Sequence, residues 1–169
     1  MRRVIPSLLT AFVLAATCSA GQQVGRGQPP GGAAGIVERW LECQECSAGE
    51  LEAAVRLGQS AVISLAPSLV DGPLPAKRQS YEKYLRKMFA DMKAYEKTHP
   101  KSVVPYSEDE FVRRDLAKYV NLYRVRAARA LGEIGGPDAA SALDRALTLQ
   151  LDPYVAAKVK EARSKIKTK

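Results

Sequence analysis

The sequence predicts an all-α fold, a short α-solenoid of stacked antiparallel helix pairs, and three observations carry that prediction. Val125 to Leu147, reading VRAARALGEIGGPDAASALDRAL, sets two small-residue-rich amphipathic stretches on either side of a Gly-Gly-Pro turn. Tyr81, Tyr84, Leu85, Met88, Phe89, Met92 and Tyr95 recur in steps of three and four, the period of one helix face. No alternation of period two runs long enough to suggest a sheet.

Ile36, Val37, Trp40 and Leu41 share one face of a short first helix. Ser47 and Glu50 have the spacing of a capping box that opens the next, and Gly58 closes it. A third, from about Ser60 to Val70, carries Val62, Leu65 and Leu69, with Pro67 as a potential kink. Asp71-Gly72-Pro73-Leu74-Pro75 reads as a break before the Tyr81–Tyr95 helix, whose aromatic and Met stripe is core packing rather than a ligand pocket. Thr98 to Tyr106 reads as a loop. Ser107 and Glu110 then open a long helix to about Leu131, with Leu116, Val120, Tyr123, Ala127, Ala130 and Ile134 on its main buried face. Leu122 and Val125 lie off that stripe, so this helix is expected to be packed from more than one direction, as inside a stack. Asp152-Pro153 starts a last helix in which Val155, Val159, Ala162 and Ile166 align.

The Val125–Leu147 stretch resembles a HEAT repeat, in particular the short type found in phycobilisome-lyase-like proteins. Val125, Arg126, Ala128, Leu131, Gly132, Ile134, Gly135, Ala142, Leu143, Ala146 and Leu147 carry the likeness. A more degenerate copy lies at Glu50–Leu69, with Val55-Arg56, Leu57-Gly58 and Ala61-Val62 but no Gly-Gly-Pro turn. The resemblance implies a binding scaffold rather than an enzyme. It also implies structural roles for Arg126, which ties helices or neighbouring repeats together in such repeats, and for Leu131, Gly132, Gly135 and Gly136. Some relatives attach or isomerise bilin pigments, but no residues here carry that activity over.

The 169 residues allow one folded domain. Arg2 and Arg3, an apolar run from Leu8 to Ala16, and small residues ending at Ala20 have the form of a secretory signal peptide, expected at 1–20. The run is too short for a permanent span, which takes about 20 residues. Cys18 offers a rival reading as a lipidated cysteine, but Leu14 and Thr17 fit that signal poorly. Residues 21–35, rich in Gly, Pro and Gln, read as a flexible linker, and 36–169 as the helical domain. The expected location is therefore periplasmic or extracellular, with no transmembrane helix in the mature chain.

Loss of the two leader arginines lowers the formal charge from +8 to +6. That excess suits another protein or an acidic surface as partner, and equally suits mere solubility; no motif points to specific nucleic-acid recognition. The candidate binding residues are Lys83, Arg86, Lys87 and Lys97, read as clustering opposite the Tyr81–Tyr95 stripe. Cys43 and Cys46 are read as a structural disulfide, consistent with export, with unpaired or partly buried thiols and redox or metal chemistry as the alternatives. A c-type haem would need His where Ser47 stands, and a structural zinc site usually takes four ligands, whereas these two cysteines and the lone His99 are what remains once Cys18 is lost with the leader. His99 reads as a solvated loop residue, and Glu108-Asp109-Glu110 as helix-capping charge. No catalytic set, cofactor or metal site is expected.

Overall fold

Helix α5 (Glu108–Ile134) is the axis on which the other helices assemble. Its start follows from its sequence. Ser107 holds an extended backbone and its Oγ accepts from the Glu110 N–H at 3.3 Å, while Glu108, Asp109 and Glu110 set negative charge against the positive end of the helix dipole. Its end is Gly135, whose N–H donates to the Leu131 carbonyl at 3.0 Å. A computed structural model describes residues 32–44, 46–99 and 102–167. Around α5 it places α1 (Ala33–Glu42), α2 (Ala48–Arg56), α3 (Gln59–Asp71), α4 (Pro75–Thr98), α6 (Gly136–Leu147) and α7 (Pro153–Lys167), with no strand among the described residues. The expected leader, and the expected linker up to residue 31, lie outside the described residues.

Helix α5 packs against α2, α3, α6 and α7. Its C-terminal half offers them small or apolar residues: Tyr123, Ala127, Ala128, Ala130, Leu131 and Gly132 are all buried. One continuous core joins them to Trp40, Leu65, Leu69, Leu143, Val155 and Val159. Helices α3 and α6 also touch, so α2–α3 and α5–α6 stack as successive pairs and α7 closes the array. The chain bends by 115° between α2 and α3 at Leu57-Gly58.

Helix α4 is built differently, and it leans on the N-terminal half of α5 as a hairpin. Leu85, Phe89, Phe111 and Val112 form a separate small core there, covered by Tyr81, Met88, Met92, Val104, Tyr106 and Leu116. Two expectations need correcting. Pro75 belongs to the helix, at a first-turn position where its missing N–H costs nothing, so α4 starts six residues before Tyr81. The stripe is also wider than the core it faces: Tyr84 and Tyr95 stay 57 % and 54 % exposed, because α5 offers one helix of cover and not two.

Candidate binding surface

The residues expected to form a basic face are separated by the hairpin. Lys83 and Lys87, one turn apart on α4, are exposed, and so is Lys97. Arg86 turns instead across to the start of α5, where its guanidinium meets Glu108 at 3.0 Å and Asp109 at 3.2 Å as well as Glu82 at 2.9 Å. These hydrogen bonds, Glu82 first, hold its pKa above the ordinary arginine value. Arg86 is thus committed to three carboxylates within the chain. Helix α4 still carries seven basic and three acidic residues, so its solvated side remains positive.

A second surface lies where α1, α3 and the start of α4 meet. A groove of about 540 Å³ opens there, with Val37, Leu41, Pro67, Pro73 and Leu74 as its apolar lining and Glu38, Asp71, Lys77 and Arg78 as its charged rim. Its far wall is tied together by side chains distant in sequence. Lys77 donates to both Glu38 and Glu42, and the Tyr123 hydroxyl donates to Glu42 Oε1 at 2.6 Å. The Tyr119 hydroxyl follows, 3.4 Å from that of Tyr123. Burial pulls Lys77 down, but its hydrogen bonds to Glu38 and Glu42 outweigh that, so its pKa stands above the usual lysine value. Tyr123 is pushed well above an ordinary tyrosine, by burial first and then by its bond to Glu42. Sequence reading missed this network. Its one local signal is the pair Glu38 and Glu42, four residues apart on α1 and so on one face.

Helix α3 separates that groove from another, of about 470 Å³, which lies between α3 and α6 and is lined by Val62, Ile63, Ala66, Asp138, Ala142 and Arg145 among others. Pro67 and Asp71 border both. Gln59 donates to Asp138 across the second groove. From Gln59 to Val70 helix α3 has no charged residue, and Ile63 on its outer side is 75 % exposed. Leu74, just beyond its end, is 67 % exposed.

The two cysteines expected to pair do so. A disulfide joins Cys43, nearly buried at the end of α1, to the exposed Cys46 ahead of α2, across a Cα separation of 5.1 Å. Glu50, in the first turn of α2, accepts from the Ser47 N–H at 3.0 Å. His99 is exposed and stacks on the Tyr95 ring at 3.8 Å.

With this geometry in place, the comparisons with known proteins fall on one segment. The family model described as the PBS lyase HEAT-like repeat matches residues 123–148. The chain contains a HEAT-like repeat. No curated protein and no solved structure matches the chain.

The HEAT-like repeat comprises the second half of α5 and all of α6. Its arginine, Arg126, donates from Nη1 to the Leu41 carbonyl at 2.7 Å, and the Trp40 indole N–H donates back to the Arg126 carbonyl at 3.0 Å. Partial burial lowers the Arg126 pKa below the ordinary arginine value. Leu131 is fully buried. The turn of the HEAT-like repeat uses both glycines in the left-handed region, Gly135 at φ 71° and Gly136 at φ 83°. Two of the surfaces described above border the repeat: α6 forms one wall of the smaller groove, and Tyr123 lines the larger one. No single helix among the described residues is long and apolar enough to cross a membrane.

Proposed function

We propose that the chain is an exported, non-catalytic helical-repeat scaffold that binds a partner protein across the outer side of α3. One observation carries this reading: the charge-free outer side of α3, with Ile63 75 % exposed, runs between grooves of about 540 and 470 Å³. An exposed apolar ridge flanked by concavities and rimmed by charges of both signs has the make-up of a protein-binding surface. The HEAT-like repeat supports a scaffold, since such repeats stack into extended binding surfaces. Export rests on the basic start, the apolar run and the small residues up to Ala20.

The positive side of α4 supports a second reading, an acidic partner held through Lys83, Lys87 and Lys97. The two readings part under salt and mutation. Immobilised protein is exposed to cell extract at 0.1 M and at 1 M salt, alongside Ile63→Glu/Leu74→Glu and Lys83→Glu/Lys87→Glu variants. Both pairs are exposed, so each variant should fold. Capture through α3 should survive 1 M salt and disappear in the first variant only. Capture through α4 should fade as the Debye length falls from about 10 Å to about 3 Å, and disappear in the second. A partner retained by both variants at both salts would reject both surfaces.

A further inference from the structure

We propose that the reduced chain holds a thiophilic divalent cation of the zinc type on Cys43, Cys46 and Glu50. The two sulfurs and a Glu50 carboxylate oxygen all lie within 4.8 Å of one another. A tetrahedral zinc ion with Zn–S of about 2.3 Å and Zn–O of about 2.0–2.2 Å needs its donors roughly 3.5–4 Å apart. Reaching that spacing requires reduction of the disulfide and rotation of the two cysteine side chains, whose Cα atoms lie 5.1 Å apart. Three features arrange the donors. Cys43 and Cys46 lie between α1 and α2 with their Cα atoms 5.1 Å apart and their side chains facing one another. The Ser47 N–H holds Glu50 Oε2 at 3.0 Å, which leaves Oε1 as the metal ligand. The N-terminus of α2 follows Ser47 directly, and its dipole is complementary to a negatively charged group beside it.

The charge balance asks for a cation. Two thiolates and a carboxylate this close repel one another, and a dication relieves that repulsion. Three protein donors leave a fourth position for water or a partner's side chain, and the exposure of Cys46 and the first turn of α2 keeps that position open to solvent. Metal uptake and the disulfide exclude each other. A small dithiol attacks the exposed Cys46 sulfur, and the Cys43 thiolate leaves. The second thiol of the reductant then displaces the Cys46 thiolate and closes a cyclic disulfide. Two electrons and two protons pass from the dithiol to the protein. The cation then displaces the two thiol protons and bonds both sulfurs. This site is independent of the α3 surface and stands or falls apart from it.

The test uses protein reduced anaerobically with a dithiol, desalted, and titrated with cadmium(II) and cobalt(II). A thiolate-to-metal absorption saturating at one equivalent is expected, with no such band in the oxidised protein. Cys43→Ser or Cys46→Ser should abolish saturable absorption at one equivalent. Glu50→Gln keeps an acceptor for Ser47 and should leave the helical circular dichroism unchanged, while weakening affinity roughly tenfold or more, measured against a competing chelator. The proposal is overturned if the folded protein resists the dithiol, if the reduced protein takes no metal at one equivalent, or if Glu50→Gln binds as tightly as the parent.

Discussion

Gly132 of α5 and Ala162 of α7 lie so close that a β-carbon at position 132 would stand 2.9 Å from the Cα, the Cβ and the carbonyl oxygen of Ala162. Two of those three atoms are backbone, so no side-chain rotation relieves the contact. The absence of a side chain at 132 is what lets the last helix dock on the axis of the fold.

Gly132→Ala should therefore destabilise the protein, against the usual gain from replacing a helical glycine, by about 1–3 kcal/mol as in other overpacked cores. Gly49→Ala is the control, because the nearest atom to its added carbon is Ser47 Oγ at an ordinary 3.8 Å. Urea midpoints of the two variants should move in opposite directions. Equal midpoints would mean that α7 does not dock at Gly132.

How far the sequence anticipates this arrangement depends on how far apart the partners lie. The stripes of α4, α5 and α7 are legible because their period is local, and Val155, Val159 and Ala162 are all buried as aligned. The start of α4 is not, because Pro75 fits a loop and a first helical turn equally well. The fate of Arg86 is half legible: Glu82 is four residues away, but Glu108 and Asp109 arrive only when the hairpin folds. The wall of the larger groove is the extreme case. Glu42 meets Lys77 and Tyr123 across 35 and 81 residues, so no periodicity brings them together.

Arg126 should matter through its bond to Leu41 rather than its charge. Arg126→Met keeps the stem and removes the donor, leaving a carbonyl at the end of α1 without that partner. A loss of about 1–3 kcal/mol is expected from the unpaired carbonyl. Chemical denaturation checks it. Wild-type stability in the variant would show that water replaces the guanidinium there at no cost.

Reversal of Arg86 should differ from reversal of its neighbours. Arg86→Glu places a fourth carboxylate among Glu82, Glu108 and Asp109 at the start of α5 and should lower the melting temperature. Lys83→Glu/Lys87→Glu touches no such cluster and should leave it almost unchanged. Equal melting temperatures for both variants would count against the hairpin contact.

Alkaline pH should weaken the fold through Tyr123. Its folded pKa is raised above the ordinary 10.0, by burial first and then by Glu42. A raised folded value stabilises in full below the unfolded pKa and is lost as pH rises toward the folded one. Lys77, raised above 10.5, acts in the same direction. Stability measured by urea should thus decline above about pH 10, and Tyr123→Phe should decline less steeply from a lower starting value, having lost its bond to Glu42. The same slope in both proteins would remove Tyr123 as a source of the decline.

The double-glycine turn makes the last prediction, and here space and backbone give different answers. A β-carbon at Gly135 or Gly136 would meet nothing within 4 Å, so bulk alone costs nothing. Both residues, however, have positive φ, 71° and 83°, where an L side chain is strained by about 1–3 kcal/mol. Gly135→Ala and Gly136→Ala should each lose about that amount. Gly135→Val should lose more than Gly135→Ala, because a β-branched side chain tolerates this region least. Gly135→Asn should lose as much as Gly135→Ala, since φ 71° with ψ −164° lies outside the left-handed helical well that asparagine visits and is held essentially by glycine alone. Gly highest, Asn and Ala level below it, and Val lowest is the order of urea midpoints at position 135 that backbone strain predicts. A ranking by side-chain volume alone would put Ala ahead of Asn, and would mean that the turn between the two helices of the repeat is limited by packing after all.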